Sequence, residues 1–385
     1  MKKLILNLTL LLAFHGLTAQ QYYPLANPCD PDKVFEKLPS AAYDNNCVFK
    51  LEITSQPFNV FPQEIFRYPN LKVLSLQNTN ISSIPIDIYL LNQVEVLDLS
   101  NNNLTKLPST IGEMKKLRKL ILRNNKLNTL PKEISNCKNL EEIDITGNPI
   151  LFLPNEINSL HALNKFHFSG NQVKDPSLMM QLVRQIRNLT HLDLSGCNLN
   201  FVPSEVRELK NLRVLNLSNN NIHFLPADLS KLSNLEVLIL GDNAGPGNKI
   251  YDLPSSFANL KNLRVLVAAN NHFVQFPIVL ASLQNLQVLD LSNNQIEELP
   301  AEIGMMSGLQ TVNLMNNQLT DVPNEIGMLT NLTQFDYAGN PLTVEKQDKI
   351  LSLLTTGSYT PPAPPAPTQK NIKPKKYKKH TTKKR

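Results

Sequence analysis

An apolar pattern, Leu-x-x-Leu-x-Leu, recurs thirteen times along this chain and constrains its fold more than any other feature. Ten of the twelve intervals between units are 23 residues, and the others are 26 and 28. The units begin at Val48, Leu71, Val94, Leu117, Leu140, Leu163, Leu189, Leu212, Leu235, Leu263, Leu286, Leu309 and Leu332. Such a period indicates a stack in which each unit buries its apolar face against its neighbours. The 64 Leu and 47 Asn follow from this repetition, and a hydrophobic content of 42% excludes a chain that is disordered throughout.

Each unit combines a short strand with a return arm. Its Leu-x-Leu centre alternates apolar and polar residues, as a strand with one buried face does. Asn holds the ninth position in ten units and Cys197 in an eleventh, whereas Gln56 and Thr79 depart. Stacked amides at this position predict a buried ladder that satisfies backbone groups. A Leu-Pro pair then fixes the return arm in eleven units, followed by apolar residues at near-helical spacing.

These features resemble the leucine-rich repeat family, specifically its 23-residue class with an LPxxIxxL second half. The resemblance covers Val48 to about Leu354. It implies an α/β fold, a horseshoe-shaped solenoid with a concave parallel β-sheet, short helical or extended convex arms and capped ends. We divide the chain into a leader (1–19), an N-terminal cap (20–47), the solenoid with a C-terminal capping helix (48–354) and a tail (355–385).

The leader begins with two lysines, continues with an apolar stretch from Leu4 to Phe14 and ends at Ala19. This order is typical of a secretory signal peptide, with cleavage before Gln20. A buried N-terminal helix is the alternative. The apolar stretch is too short for a bilayer, which needs ~20 residues, so we expect no transmembrane segment. The lysine-initiated leader favours a bacterial, exported protein that is secreted, periplasmic or attached to the cell surface.

Both ends of the stack need covers. Asp30-Pro31 predicts a helix start followed by Lys33–Leu38. In an exported protein, Cys29 and Cys47 would form a disulfide that closes this cap, with two free thiols as the alternative. At the other end, Thr343 is expected to cap a helix that runs through Leu354.

The positive charge of the chain is concentrated in its tail. The formal net charge is +6, but residues 29–354 alone carry −5. After the proline-rich run Pro361–Pro367, which favours an extended spacer, the last sixteen residues carry nine cations and no acid. These are Lys370, Lys373, Lys375, Lys376, Lys378, Lys379, Lys383, Lys384 and Arg385. Such a segment suits attachment to an anionic envelope polymer, while a merely solubilising end is the alternative.

The third, fifth and seventh residues of each unit are expected to face away from the core. One group of them, which we call the polar cluster, occupies four successive strands. It comprises Arg123, Glu142, Asp144, Lys165, His167, His191 and Asp193. A solvated, charge-balanced surface and a contact site for a protein or glycan both fit this group. A metal or acid–base site fits it less well, because an open sheet lacks an enclosing pocket.

A second group, the apolar patch, comprises Val237, Ile239, Val265, Val267 and Val288. Ala268 and Ala269 lie beside it, as does a five-residue insertion within Asn243–Ile250 whose Gly and Pro predict a projecting loop. An exposed apolar surface next to a variable loop is typical of a partner site. Ordinary strand residues beside a neutral insertion are the alternative.

The expansion after Leu163 coincides with the run Leu178–Ile186 and predicts one true helix with a buried Met and Leu stripe. Cys137 and Cys197 fall on core positions and are expected to be inert. The chain has no phosphate loop, paired-Cys metal spacing or HExxH motif. We therefore predict a monomeric, non-enzymatic protein without metal or cofactor that binds a protein or glycan and no specific nucleic acid. A structural spacer whose basic tail performs the function is the alternative.

Overall fold

The computed structural model describes residues 29–242 and 245–354. The proposed leader, the proline-rich segment and the basic tail therefore lie outside the described residues. Among the helices of the described part, none is long and apolar enough to cross a membrane.

Within the described residues, fourteen strands form one parallel sheet in which every strand pairs with its neighbours in sequence. In order, β1–β14 are Val34–Phe35, Lys50–Thr54, Val73–Gln77, Val96–Asp98, Lys119–Ile121, Glu142–Asp144, Lys165–His167, His191–Asp193, Val214–Asn216, Val237–Gly241, Val265–Ala268, Val288–Asp290, Thr311–Asn313 and Gln334–Asp336. Strands β2–β14 are the centres of the thirteen predicted units. This unbroken order is that of a solenoid, because each unit adds one strand beside the last.

Return arms carry the chain from one strand to the next through short 3-10 helices. Eleven of these in the described residues begin directly after the predicted proline, whose fixed φ suits a helix start. They are Gln63–Arg67, Ile86–Leu90, Ser109–Glu113, Lys132–Asn136, Asn155–Ser159, Ser204–Glu208, Ala227–Lys231, Ser255–Asn259, Ile278–Ser282, Ala301–Met305 and Asn324–Met328. The Ile, Val, Leu or Phe at the centre of each is buried against the inner face of the sheet.

The predicted amide ladder is present inside ten of the thirteen turns in the described residues. Asn125 is typical: its Nδ2 donates to Leu99 O and Leu122 O, both at 3.0 Å, and its Oδ1 accepts from Leu104 N at 3.0 Å. Ten asparagines occupy this site: Asn102, Asn125, Asn148, Asn171, Asn220, Asn248, Asn271, Asn294, Asn317 and Asn340. In the unit from Leu235 the ladder residue is Asn248, whereas spacing alone assigned Asn243. The insertion therefore precedes the ladder amide.

Two buried cysteines are inert, as predicted. Cys197 replaces a ladder asparagine, with Sγ 3.3 Å from Phe168 O. Burial raises the pKa of its thiol to about 12 and that of Cys137 to about 11. Neither thiol is therefore ionised at neutral pH, and thiolate is the reactive form.

The N-terminal cap differs from the prediction. No helix follows Pro31; instead Val34–Phe35 forms β1 and pairs with Lys50 and Leu51. The sheet offers an unpaired edge here, and its backbone hydrogen bonds outweigh the weak local helix signal. The predicted Cys29–Cys47 disulfide is present and joins the start of the cap to the turn before β2.

The two predicted helices are present. Helix α1 (Pro176–Val183) begins with Asp175 accepting from Leu178 N at 2.9 Å. It buries Met179 and Met180 as predicted, but Leu178 in its first turn is 46% exposed, so the predicted buried stripe does not include it. Helix α2 (Val344–Leu354) closes the last unit and buries Ile350 and Leu354. Lys346 and Lys349 of α2 both pair with Asp321, and these bonds lower the pKa of that carboxyl to about 2.

Candidate functional site

The outward face of the sheet is organised into two columns of side chains. The third and fifth residues of each unit lie in register from β2 to β14, so that Glu142 neighbours Lys165 and Asp144 neighbours His167. Most of these side chains are half-buried, while the fourth residue of each unit is fully buried. The predicted orientation of these two positions is confirmed.

The seventh position does not simply face outward. Ser100, Ser195 and Ser292 are buried, and each donates its hydroxyl to the aspartate two residues earlier, at 2.6–2.7 Å. The same aspartates accept from the serine backbone N–H. This local turn explains why aspartate recurs in the fifth column. Asp193 of the polar cluster is therefore partly occupied in holding its own turn.

Within the polar cluster, Arg123 and Asp144 form an ion pair. The Asp144 side chain is 0% exposed, while that of Arg123 is 53% exposed. Asp144 also accepts from Thr146 N at 3.1 Å. A buried carboxylate costs free energy unless it is paired, so this arginine belongs to the structure of the sheet as well as to its surface.

Glu142 is the centre of a second set of contacts. Its carboxylate lies 3.3 Å from Lys119 Nζ and 3.8 Å from His167 Nε2. Lys119 was missed by the sequence analysis, although it holds the third position of the preceding unit. The side chain of Glu142 is only 15% exposed, so its charge is largely committed to these neighbours.

Lys165 is the cation of the cluster that remains available. Among the described residues, no carboxylate lies within ion-pair distance of its Nζ, and it is half-buried. His191 is beside it in the same column and bonds Thr190 Oγ1 through Nδ1 at 2.8 Å. Burial, with the charge of Lys165 next in effect, lowers the pKa of His191. A carboxylate of a binding partner could form an ion pair with Lys165.

The histidines and aspartates of the cluster do not converge as metal ligands would. In the described part of the chain, the group whose ligating atoms lie within 4.8 Å of one another is Cys29, Asp44 and Cys47. Two of its three members are joined as the disulfide. The polar cluster is thus a row of charges spread along the sheet.

The apolar patch is continuous across neighbouring strands. Val237 pairs with Val265 and Val265 with Val288 in one column, and Ile239 pairs with Val267 in the other. All five side chains are half-buried. Val214 was not among the predicted patch residues, but it extends the patch by one strand, since it pairs with Val237. Six branched apolar side chains therefore face outward together on β9–β12.

The insertion beside this patch does not project as predicted, at least in residues 245–250. Gly247 has φ +71°, and a Cβ there would lie 1.6 Å from Asn270 O. Its N–H donates to Asn219 Oδ1 at 3.2 Å, and Asn248 is buried in the ladder. Close packing against the adjacent turns fixes this part of the loop at the edge of the sheet.

Comparison with known families matches the chain to a leucine-rich repeat region over residues 33–194 and 174–292, and to a two-copy leucine-rich repeat model over residues 284–326. No curated protein sequence matches the chain.

Solved structures resemble the chain over most of its length. A leucine-rich repeat protein of Leptospira interrogans is 31% identical, with 82% of this chain and 84% of that chain covered and a TM-score of 0.69. An internalin (InlF) of Listeria monocytogenes shares the fold, at 23% identity, 75% and 86% coverage and a TM-score of 0.57. The plant peptide hormone receptor RGFR1, solved in complex with RGF2, is 27% identical with a TM-score of 0.57. That match covers 80% of this chain but 58% of the receptor chain.

Proposed function

Because the chain belongs to the leucine-rich repeat family, we propose that it is a non-catalytic binding protein that holds a polypeptide partner on the concave face of its sheet. The observation that carries this proposal is the apolar patch. Six outward-facing apolar side chains lie in register on four strands, where a purely solvated surface would favour polar residues. Their burial by a partner would supply the main favourable term of binding.

The polar cluster supplies orientation to the same surface. Binding interfaces combine an apolar centre with a polar rim, and the available cation Lys165 lies on β7, three strands from Val237 on β10. At ~4.8 Å per strand this separation is about 14 Å. A partner that places a carboxylate about 14 Å from a group of apolar side chains would satisfy both features. Only one orientation along the solenoid would do so.

A polypeptide suits this surface better than a glycan, because branched apolar side chains do not match the hydroxyl-rich surface of sugars. The similarity to RGFR1 supports the same choice, since that receptor was solved with the peptide hormone RGF2. The chain is proposed to act outside the cytoplasm. Its Cys29–Cys47 disulfide supports this, since disulfides persist mainly in oxidising compartments.

Replacing Ile239 and Val267 together by aspartate should reduce capture of the partner from an extract of the source organism at least about tenfold, because two charges would be buried in the interface. Both residues face outward, so circular dichroism and thermal unfolding should change little. The matched control is Ile86→Asp with Ile278→Asp, two exposed apolar residues on the convex arms. The proposal would be contradicted if the variant with aspartate at positions 239 and 267 captured the partner as well as the control does.

The same assay separates this function from its alternative, a spacer whose basic tail performs the work. A chain that lacks residues 361–385 should still capture the partner if the concave sheet binds it. If the aspartate variant still captures the partner but the chain without residues 361–385 does not, the spacer function is favoured. The tail is proposed to attach the chain to anionic envelope material, an interaction that should weaken steeply with salt.

A further inference from the structure

A row of basic side chains runs along one edge of the solenoid. In six of seven successive units, the residue two positions before the next unit is basic. We call this row the basic edge: Lys115, Lys138, His161, Arg187, Lys210 and Lys261, with Ser233 as the interruption. It follows the amino ends of the strands, whereas the insertion near Gly247 lies at their carboxyl ends. This position was not among those predicted from the sequence to contact a partner.

A second ladder of asparagines holds the row in line. Asn188 Nδ2 donates to His161 O at 2.7 Å, and Asn211 Nδ2 donates to Arg187 O at 2.8 Å. The same bond joins Asn139 to Lys115 O and Asn234 to Lys210 O. The basic residues are therefore stacked one unit above another, at a spacing of at least ~5 Å set by the strands.

The charge of the row is not neutralised. All six side chains are exposed, and within the described residues Lys115 is the one with a carboxylate at ion-pair distance, Glu113 at 3.4 Å. Lys138, Lys210 and Lys261 contact only oxygens of neutral groups. Residues 29–354 carry a net charge of −5, so the row is a local concentration of positive charge on an acidic body.

The centre of the row is a groove of about 870 Å³. It lies where the expanded unit replaces a 3-10 arm by α1, and it includes His161, Arg187 and Lys210. Its acid, Glu208, is paired with Arg184. The remaining lining is uncharged: the amides of Asn158, Gln185, Asn188 and Asn211, and the hydroxyl of Ser159. Cations, hydroxyl and amide groups thus line one open channel.

We propose that the basic edge binds a linear acidic polysaccharide, separately from the polypeptide partner of the concave sheet. An array of regularly spaced cations matches a chain with regularly spaced carboxylate or sulfate groups, and binding releases its counterions. The amides offer donors and acceptors for sugar hydroxyls. Among the described residues that line the groove there is no Phe, Tyr or Trp, so it lacks the large aromatic rings on which single-stranded nucleic acid stacks.

Lysine acetylation of the full chain, followed by mass spectrometry, tests this proposal because it locates the contact even though the tail is also basic. Heparin is the probe. Lys138 and Lys210 should be acetylated about threefold or more slowly in its presence, since each ammonium would be covered. Lys126 and Lys249, exposed on the opposite edge, should react at an unchanged rate. Protection confined to the tail, or equal on both edges, would overturn the proposal.

A matched pair of variants sharpens the test. Arg187→Gln with Lys261→Gln removes the neighbours of Lys210 in the row and should abolish its protection. Lys126→Gln with Lys249→Gln removes the same net charge from the other edge and should leave that protection intact. Equal effects of the two pairs would show attraction by net charge alone. Polyglutamate and duplex DNA, at matched charge concentration, should protect Lys210 less than heparin does; equal protection would overturn the assignment to a polysaccharide.

Discussion

Replacing Asn148 by alanine is expected to lower the free energy of unfolding by about 2–5 kcal/mol, since a buried backbone group left without a partner costs about 1–3 kcal/mol and each further hydrogen bond lost costs about 0.5–1.5 kcal/mol. Asn148 is 2% exposed. Its Nδ2 donates to Leu122 O at 2.9 Å and Ile145 O at 3.0 Å, and its Oδ1 accepts from Leu127 N at 3.1 Å. Alanine would leave Leu127 N without its partner, while Leu122 O and Ile145 O would each lose one of two amide donors and keep the other, from Asn125 and Asn171.

Urea denaturation measures this loss, with Asn128→Ala as the matched control. Asn128 is exposed, and its side chain makes no hydrogen bond to any described residue. Its replacement should change the free energy of unfolding by no more than about 0.5 kcal/mol. The bonds of Asn148 cross from one unit to the next, so its loss should also broaden the transition as neighbouring repeats separate. Equal stability of the two variants would mean that the ladder is not needed for cohesion.

The second large effect is expected at the ion pair of Arg123 and Asp144. Arg123→Leu should cost about 3 kcal/mol, because breaking a buried pair from one side leaves an uncompensated carboxylate. We take the lower end of the usual range since the arginine side chain is 53% exposed to solvent. Replacement of both residues by leucine should recover most of this loss, because no buried charge then remains.

A double-mutant cycle of Arg123→Leu and Asp144→Leu, followed by chemical denaturation, gives the coupling between the two side chains. A coupling near zero would contradict the structural role assigned to the pair. The matched comparison is Arg118→Leu with Glu141→Leu, whose side chains are 53% and 35% exposed. Exposed pairs typically contribute about 0.2–1 kcal/mol, so that cycle should give a much smaller value.

The sequence predicted most of the fold because the same pattern of residues recurs in thirteen units. Thirteen strands, the ladder and the proline-initiated arms each follow from a residue that must recur once per unit to serve the same contact. The helix of the N-terminal cap was predicted wrongly because the sequence pattern that suggested it occurs only once in the chain and is not supported by repetition. Asp30-Pro31 is a fair local helix start, but pairing of Val34 and Phe35 with the first repeat strand outweighs it. The ladder residue of the unit from Leu235 was misassigned because both Asn243 and Asn248 are asparagines. Only the three-dimensional structure shows which of them occupies the ladder.

For the candidate surface, the sequence predicted which positions face outward, but it did not predict the contacts between their side chains. Register placed Asp144 beside His167, yet alternation could not show that Asp144 is fully buried beneath Arg123. Lys119 and Val214 were not among the predicted site residues, although both hold the third position of their units. The basic edge was visible in the sequence at a fixed position before each unit, but its meaning depends on the second asparagine ladder that aligns it.

Photo-crosslinking from Val265 tests the central claim most directly. A benzoyl-phenylalanine at Val265, in the middle of the apolar patch, should form a covalent adduct with the captured polypeptide partner. The same group at Ile278, exposed on the convex arm of the same unit, should form none. An adduct from Ile278 and none from Val265 would contradict binding on the concave sheet.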